Sequence, residues 1–198
     1  PHYLVWDEYQ ANFIKTSNSS NANALIEIVG PIWFSSSNEK IAVPSRAISV
    51  FDVTPTRPAV FITLGVPVEY YTYKTCNKFL DDIHKLSLES GFNILHKKKR
   101  SSNFDHHQYT KKIKELSQID NYFEVSPEID AHQIIAKTRA CISLPFTATA
   151  HIAYSLGIPS IYYDPTGSLL KSDNAAHGIP ILNTKNELRQ WMEKINDV

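Results

Sequence analysis

The 198-residue sequence has few of the features that mark membrane, metal-binding or secreted proteins. Its two cysteines, Cys76 and Cys141, lack the spacing of a metal-ligand motif, so we expect reduced thiols and a cytosolic compartment. No apolar run approaches the ~20 residues that a membrane-spanning helix requires. The N-terminus also shows no basic segment followed by an apolar one, which is the pattern of a secretory signal.

Charge of one sign is not in excess, because Lys plus Arg and Asp plus Glu number 20 each. No global field therefore favours nucleic acid or a membrane surface, and any anion site must be built locally. At 42% hydrophobic residues the chain can bury the core of one ordinary domain. It begins at Pro1 rather than methionine, so we expect a processed chain or a piece of a longer protein.

Strand patterns alternate with helix patterns along most of the chain. This alternation is typical of parallel strands joined by helical crossovers that cover both faces of the sheet. We therefore predict an α/β fold, a Rossmann-like three-layer sandwich with a mainly parallel sheet. Residues 1–45 are expected to be a strand, helix, strand and linker packed on the domain formed by residues 46–198. The predicted strands of that domain are 47–55, 92–97, 122–126, 140–145, 159–165 and 179–183.

Polar residues follow five of these predicted strands. In open parallel sheets, ligands bind outside the carboxyl ends of the strands, where the strand order reverses. The sequence therefore predicts a ligand site built from these strand ends. The residues concerned are Asp52 and Thr54, Lys97 to Arg100, Ser126 and Glu128, Ser143 with Thr147 and Thr149, and Tyr163 with Asp164.

The stretch "ISLPFTATAHIAYSLG" places two threonines where a strand leads into a helix. The first turn of a helix has N–H groups without intrahelical partners, and it attracts anions. Thr147 and Thr149 would add hydroxyl donors, and small Ala148 and Ala150 would let a phosphate approach. The alternative is that Thr147 only caps the helix. Neither the GxGxxG nor the GxxxxGK[ST] pattern is present in the sequence.

Three further features have two interpretations each. The run "HKKKR", residues 96–100, supplies cations suited to a phosphate or a sugar carboxylate, or it is a solvated basic turn. Glu128 either caps the following helix or accepts hydrogen bonds from a ribose or base. His177 either contacts a ligand or belongs to an ordinary loop.

Several of these motifs together resemble a known family. "AISVFDVTPTR", "FLDDI", "LHKKKR", "ISLPFTATA", "PSIYYDPTG" and "ELRQWM" occur in that order, and they look like bacterial surface-polysaccharide biosynthesis proteins named for a PFTS motif. The resemblance runs from about Ile26 onward and implies the C-terminal, donor-binding half of a GT-B glycosyltransferase. Ala148 stands where the motif has serine, and the N-terminal acceptor domain that the family implies is missing.

The resemblance also implies a substrate and a set of binding residues. The order of motifs is similar to that of transferases using CMP-activated acidic sugars. In that likeness Lys97, Lys99 and Arg100 face the donor's phosphate or carboxylate, Glu128 faces the ribose or base, and Ser143, Thr147 and Thr149 hold the phosphate. Pro145, Phe146 and Asp164 complete the predicted binding set.

The implied function is transfer from a nucleotide sugar to a glycan or lipid-linked glycan in capsule or O-antigen biosynthesis. No metal or other cofactor is expected, and the catalytic base or nucleophile is expected on the missing domain. The implied location is the cytoplasm, and peripheral attachment to the inner face of the cell membrane is a further expectation. A non-catalytic scaffold domain is the alternative. An epimerase-like enzyme is disfavoured by the absent glycine fingerprint.

Overall fold

The computed structural model describes residues 1–17, 24–30, 41–59, 70–99 and 104–196. Within these ranges the strands are β1 (His2–Val5), β2 (Leu25–Ile28), β3 (Ala47–Phe51), β4 (Asn93–Lys97), β5 (Tyr122–Val125), β6 (Ala140–Ser143), β7 (Ser160–Tyr163) and β8 (Ile181–Leu182). The α-helices are α1 (Glu8–Ser17), α2 (Tyr73–Ser90), α3 (His107–Leu116), α4 (Ala131–Ile135), α5 (Ala148–Ser155) and α6 (Lys185–Asn196), and a short 3₁₀ helix spans Asn174–Ala176.

Six strands form one all-parallel sheet in the order β5-β4-β3-β6-β7-β8. This arrangement confirms the predicted Rossmann-like α/β fold. From β3 the chain proceeds through β4 to β5 on one side, and from β6 through β7 to β8 on the other. The strand order therefore reverses between β3 and β6, and the crevice at their carboxyl ends is where such sheets bind ligands.

Strand β3 is buried along its whole length, and its side chains alternate between the two faces of the sheet. Ile48 and Val50 face a core formed with α2, α3 and α6. Ala47 and Phe51 face a second core formed with α4 and α5. Because both faces are covered, β3 lacks the hydrophobic-polar alternation of a half-exposed strand, and its polar residue Ser49 is buried and hydrogen-bonded.

Helix α2 begins and ends where its capping residues predict. Thr72 accepts a hydrogen bond from the Thr75 N–H at 3.2 Å, as an N-cap does. Gly91 adopts the left-handed conformation with φ 69° and donates its N–H to the Ser87 carbonyl. Gly91 therefore ends the helix, as a glycine directly after a helical pattern predicts.

The N-terminal strands form a separate two-stranded parallel sheet. Two contacts join this part of the chain to the loop before β8. Asp7 Oδ2 lies 2.5 Å from His177 Nδ1, and the Tyr9 ring lies 5.5 Å from the His177 ring. The proposed division at residue 45 stays a prediction.

Several predicted elements are shorter in the structure, and a turn ends two of them. The sequence DAHQIIAKTR predicts a helix over residues 130–139, but the helix ends at Ile135, because the following residues turn and the Thr138 hydroxyl donates to the Ile135 carbonyl at 3.0 Å. The strand predicted to reach residue 145 ends at Ser143, because Pro145 and Phe146 form a turn. None of the described helices is both long and apolar enough to cross a membrane.

Candidate functional site

A cavity of about 560 Å³ opens at the point where the strand order reverses. Its walls come from the segments that follow β3, β4 and β6. Asp52 follows β3, Lys97 to Lys99 end and follow β4, and the turn from Phe146 to Thr149 leads from β6 into α5. The structure thus brings three of the predicted strand ends together around one space.

Helix α5 begins at this cavity, and the side chain of its N-cap residue does not cap the first turn. Thr147 has the extended backbone of an N-cap residue, but its side chain makes no hydrogen bond to the first N–H groups of the helix. Its hydroxyl instead donates to the Leu144 carbonyl at 2.9 Å. The structure therefore does not support the alternative that the Thr147 side chain caps the helix. Because the Thr147 hydroxyl does not accept from them, the first N–H groups of the helix are available to a ligand.

The hydroxyl groups of this turn are linked to each other. Thr149 Oγ1 lies 2.8 Å from Ser143 Oγ and 3.2 Å from Thr147 Oγ1. Ser143 is fully buried and does not line the cavity. The predicted set thus divides into Thr147 and Thr149 at the cavity wall and Ser143 beneath them, where it positions Thr149.

The turn before α5 has an unusual backbone. Phe146 has φ 61°, a left-handed conformation that a bulky residue rarely adopts. Pro145 is buried, and its carbonyl accepts a hydrogen bond from the Tyr71 hydroxyl at 2.8 Å. The Tyr162 hydroxyl donates to the Thr147 carbonyl at 2.9 Å. These two tyrosines fix the turn from both sides, and strained turns of this kind cluster at functional sites.

The lysines at the end of β4 differ in their surroundings. Burial lowers the pKa of Lys97, although nearby Asp130 and Glu128 favour its charged form. Lys98 pairs with Glu124 at 2.8 Å, whereas Lys99 is exposed at the cavity. Arg100 lies outside the described residues.

Two other predicted site residues lie away from the cavity wall. Glu128 is exposed, and the side chain that caps α4 is Asp130, which accepts from the His132 N–H at 2.9 Å. Asp164 is fully buried, and both of its carboxylate oxygens are occupied. They accept hydrogen bonds from the Tyr70 hydroxyl and from groups of the loop formed by Thr166 and Leu169. The structure gives Asp164 the role of organising this loop.

Asp52 follows a predicted strand but does not belong to the predicted binding set. It is 3% exposed and lines the cavity. Its Oδ2 accepts from the Tyr109 hydroxyl at 2.7 Å, and His96 Nε2 lies 3.3 Å away in poor alignment for a hydrogen bond. Oδ1 has no hydrogen-bond partner among the described residues. A buried carboxylate oxygen without a partner is costly, so Oδ1 is suited to accept a hydrogen bond from a ligand.

His96 and Tyr122 extend this buried network. His96 is fully buried, and its Nδ1 lies 2.5 Å from the Tyr122 hydroxyl. Burial and neighbouring Asp52 raise the pKa of Tyr109 well above its usual value, so this phenol stays protonated and donates to the carboxylate. The sequence signal for Asp52 is an acidic residue placed directly after a wholly buried strand.

Comparisons with known proteins agree with this fold. The computed structure is similar to the crystal structure of the glycotransferase of kitacinnamycin, with a TM-score of 0.51 and 10% sequence identity. The match covers 88% of this chain and 42% of that chain, so this chain spans less than half of that protein's length. At this identity the likeness establishes the fold alone.

The sequence itself gives a family match. No curated protein matches it. The model of the family described as "Polysaccharide biosynthesis PFTS motif protein" matches residues 1–192, which is nearly the whole chain. The resemblance inferred from the ordered motifs is thereby confirmed, and the chain belongs to the polysaccharide biosynthesis PFTS motif protein family.

Proposed function

We propose that this chain binds the nucleotide-sugar donor of a glycosyltransferase that builds bacterial surface polysaccharide. The observation that carries the proposal is the cavity at the strand-order reversal, where the start of α5 meets Lys97 and Lys99. Helix N–H groups and ammonium groups are the donors with which proteins hold phosphate. The volume of about 560 Å³ lies in the range of small-molecule sites.

The donor phosphate would lie at the first turn of α5, and the nucleoside would extend toward β3 and β4. Asp52 Oδ1 would accept from a ribose hydroxyl or a base amino group, because Asp52 lines the cavity and this oxygen has no hydrogen-bond partner among the residues that the structure describes. Thr149, held by Ser143, would complete the phosphate contacts. This arrangement positions the donor and stabilises the departing nucleotide phosphate without a metal ion.

A CMP-activated acidic sugar is the narrower donor proposal. Such a donor carries a phosphate and a sugar carboxylate, and Lys97 and Lys99 supply two cations at the same cavity. The acceptor, a glycan or lipid-linked glycan, and the catalytic base would require an N-terminal domain beyond this chain. The product would be capsule or O-antigen polysaccharide. The protein would act in the cytoplasm, attached peripherally to the inner face of the membrane.

Calorimetric titration with CMP, UDP and GDP tests the proposal directly. We expect saturable binding of one nucleotide, with CMP the tightest. The variant Lys97→Ala/Lys99→Ala should bind at least tenfold more weakly. Lys111→Ala/Lys114→Ala is the matched control, because both lysines are exposed on α3 and neither lines the cavity. Failure of all three nucleotides at millimolar concentration would refute the proposal and favour the scaffold alternative.

A further inference from the structure

Three potential metal ligands meet outside the donor cavity, where the N-terminal segment contacts the large sheet domain. Asp7 follows β1, His151 lies in α5, and His177 precedes β8. One ligand atom of each lies within 4.8 Å of the others. Two cavities of about 710 and 500 Å³ adjoin this cluster, and both are lined by Tyr9 and His177. The cluster is therefore accessible to an ion and to water.

The contacts of Asp7 orient its carboxylate toward the two histidines. Its Oδ1 accepts the Gln10 N–H at 2.9 Å, and its Oδ2 lies 2.5 Å from His177 Nδ1. A hydrogen bond to the second oxygen is the kind of outer contact that fixes a metal-ligating carboxylate. Gln10 is itself held by the Trp6 N–H, which donates to its Oε1 at 2.9 Å. The loop after β1 is thus organised around this carboxylate.

His151 is the residue that a simple Asp–His pair leaves unexplained. Among the described residues no hydrogen bond reaches its ring nitrogens. The ring instead packs edge-on against His177, with the ring centres 4.8 Å apart, and against Trp6 at 6.2 Å. A contact between the N-terminal segment and the sheet domain requires only Asp7 and His177. The third side chain adds an imidazole that has no hydrogen-bond partner among the described residues beside that pair.

The backbone at His177 supports a specific role for its ring. His177 follows the 3₁₀ helix in the left-handed conformation, with φ 52°. Strained non-glycine residues of this kind persist where the surrounding structure fixes them, and they concentrate at functional sites. This conformation holds the ring against Asp7 and Tyr9.

We propose that Asp7, His151 and His177 bind one divalent transition-metal ion, for which Zn²⁺ is the best match. Two imidazoles and a carboxylate, with water in the fourth position, are a recognised ligand set for zinc. In a tetrahedral site of this type the ligand atoms stand about 3.3 Å apart. Asp7 and His177 would separate slightly as the ion enters, and His151 would turn toward them. All three side chains are partly exposed, so they have room to adjust.

A metal here would join the N-terminal segment to α5 and to the loop before β8. Its role would be structural, because these three residues do not line the donor cavity. No sequence motif predicts this metal site, because its ligands come from three distant segments of the chain. The proposal is independent of the proposed donor binding, and either can fail without the other.

Titration of the metal-free chain with Zn²⁺ and Co²⁺ tests the proposal, by calorimetry and by the visible absorption of tetrahedral Co²⁺. We expect one Zn²⁺ per chain at micromolar concentration or tighter, and a melting temperature that rises with Zn²⁺ and falls with a chelator. The chain has eight histidines, so stoichiometry alone is insufficient. His151→Ala is the decisive variant, because within the described part of the chain its ring makes no hydrogen bond that the fold would lose.

His151→Ala should weaken Zn²⁺ binding at least tenfold and abolish the Co²⁺ spectrum. Asp7→Asn, which keeps the shape of the side chain but removes its charge, should weaken binding as well. His132→Ala is the matched control, because His132 is a partly exposed histidine of α4 outside the cluster, and it should bind Zn²⁺ like the parent. Absence of saturable one-to-one binding in the parent, or unchanged affinity in His151→Ala, would overturn the proposal.

Discussion

The hydroxyl of Thr149 lies 2.8 Å from that of Ser143, which joins the first turn of α5 to the buried end of β6. Thr149→Val keeps the β-branched shape and removes this link. We expect nucleotide affinity to fall by about 1–3 kcal/mol, the range for a hydrogen bond to a charged group. Stability should fall by roughly 1 kcal/mol, because the buried Ser143 hydroxyl loses its neighbour.

The double variant Ser143→Ala/Thr149→Val separates these two effects. Removing both partners leaves no unpaired hydroxyl, so stability should recover part of its loss while nucleotide affinity stays low. Urea unfolding and calorimetric titration of the same samples give the two quantities. Full recovery of affinity in the double variant would show that Thr149 makes no contact with the nucleotide.

Lys97 should make nucleotide binding sensitive to alkaline pH. Burial lowers its pKa below the usual value, so the ammonium group loses its proton at a lower pH than an exposed lysine does. Phosphate binding needs the charged form, and affinity should therefore fall as the pH rises from 7 toward 10. Lys97→Arg keeps the charge throughout this range and should flatten the profile. An identical pH profile for parent and Lys97→Arg would exclude Lys97 as the phosphate contact.

The left-handed backbone of Phe146 makes a prediction about stability. With φ 61°, a residue with a Cβ is strained at this position, whereas glycine is not. Phe146→Gly should therefore be more stable than Phe146→Ala by about 1 kcal/mol, measured by thermal or urea unfolding. Both variants lose the ring that lies 6.0 Å from Tyr162, so their comparison isolates the backbone term. Equal stability of the two variants would contradict this conformation in solution.

The sequence predicted the fold well because buried parallel strands and the helices between them have distinct patterns. The mostly apolar run of β3 and the cap residues Thr72 and Gly91 are local signals, and they lie where the structure has a strand and the two ends of a helix. The strand order is not local. That the order reverses between β3 and β6 depends on which strands pair, and only the folded chain shows it.

The site was predictable to the level of strand ends but not of individual contacts. Lys97 and Thr149 do reach one cavity, as the shared sheet edge implied. A strand end nevertheless presents side chains inward as well as outward. Ser143 and Asp164 point into the protein, where they hold neighbouring groups. Such differences follow from alternation and loop packing, which a strand boundary does not fix.

Asp52 and Tyr109 give the last prediction, because they separate stability from ligand binding. Tyr109→Phe removes the 2.7 Å hydrogen bond to Asp52 Oδ2 and keeps the Asp52 side chain, which lines the cavity. We expect it to lower the free energy of unfolding by about 1–3 kcal/mol, because the buried carboxylate loses a hydrogen-bond donor. Nucleotide affinity should stay within about twofold of the parent, which corresponds to a change of less than about 0.5 kcal/mol in the free energy of binding.

Asp52→Asn keeps the size of the side chain but removes its charge, and it should weaken nucleotide binding about tenfold through the loss of a charge-assisted hydrogen bond. Both variants are measured by calorimetry below their melting temperatures. If Asp52→Asn binds nucleotide as the parent does, the carboxylate serves only the buried network with Tyr109 and His96.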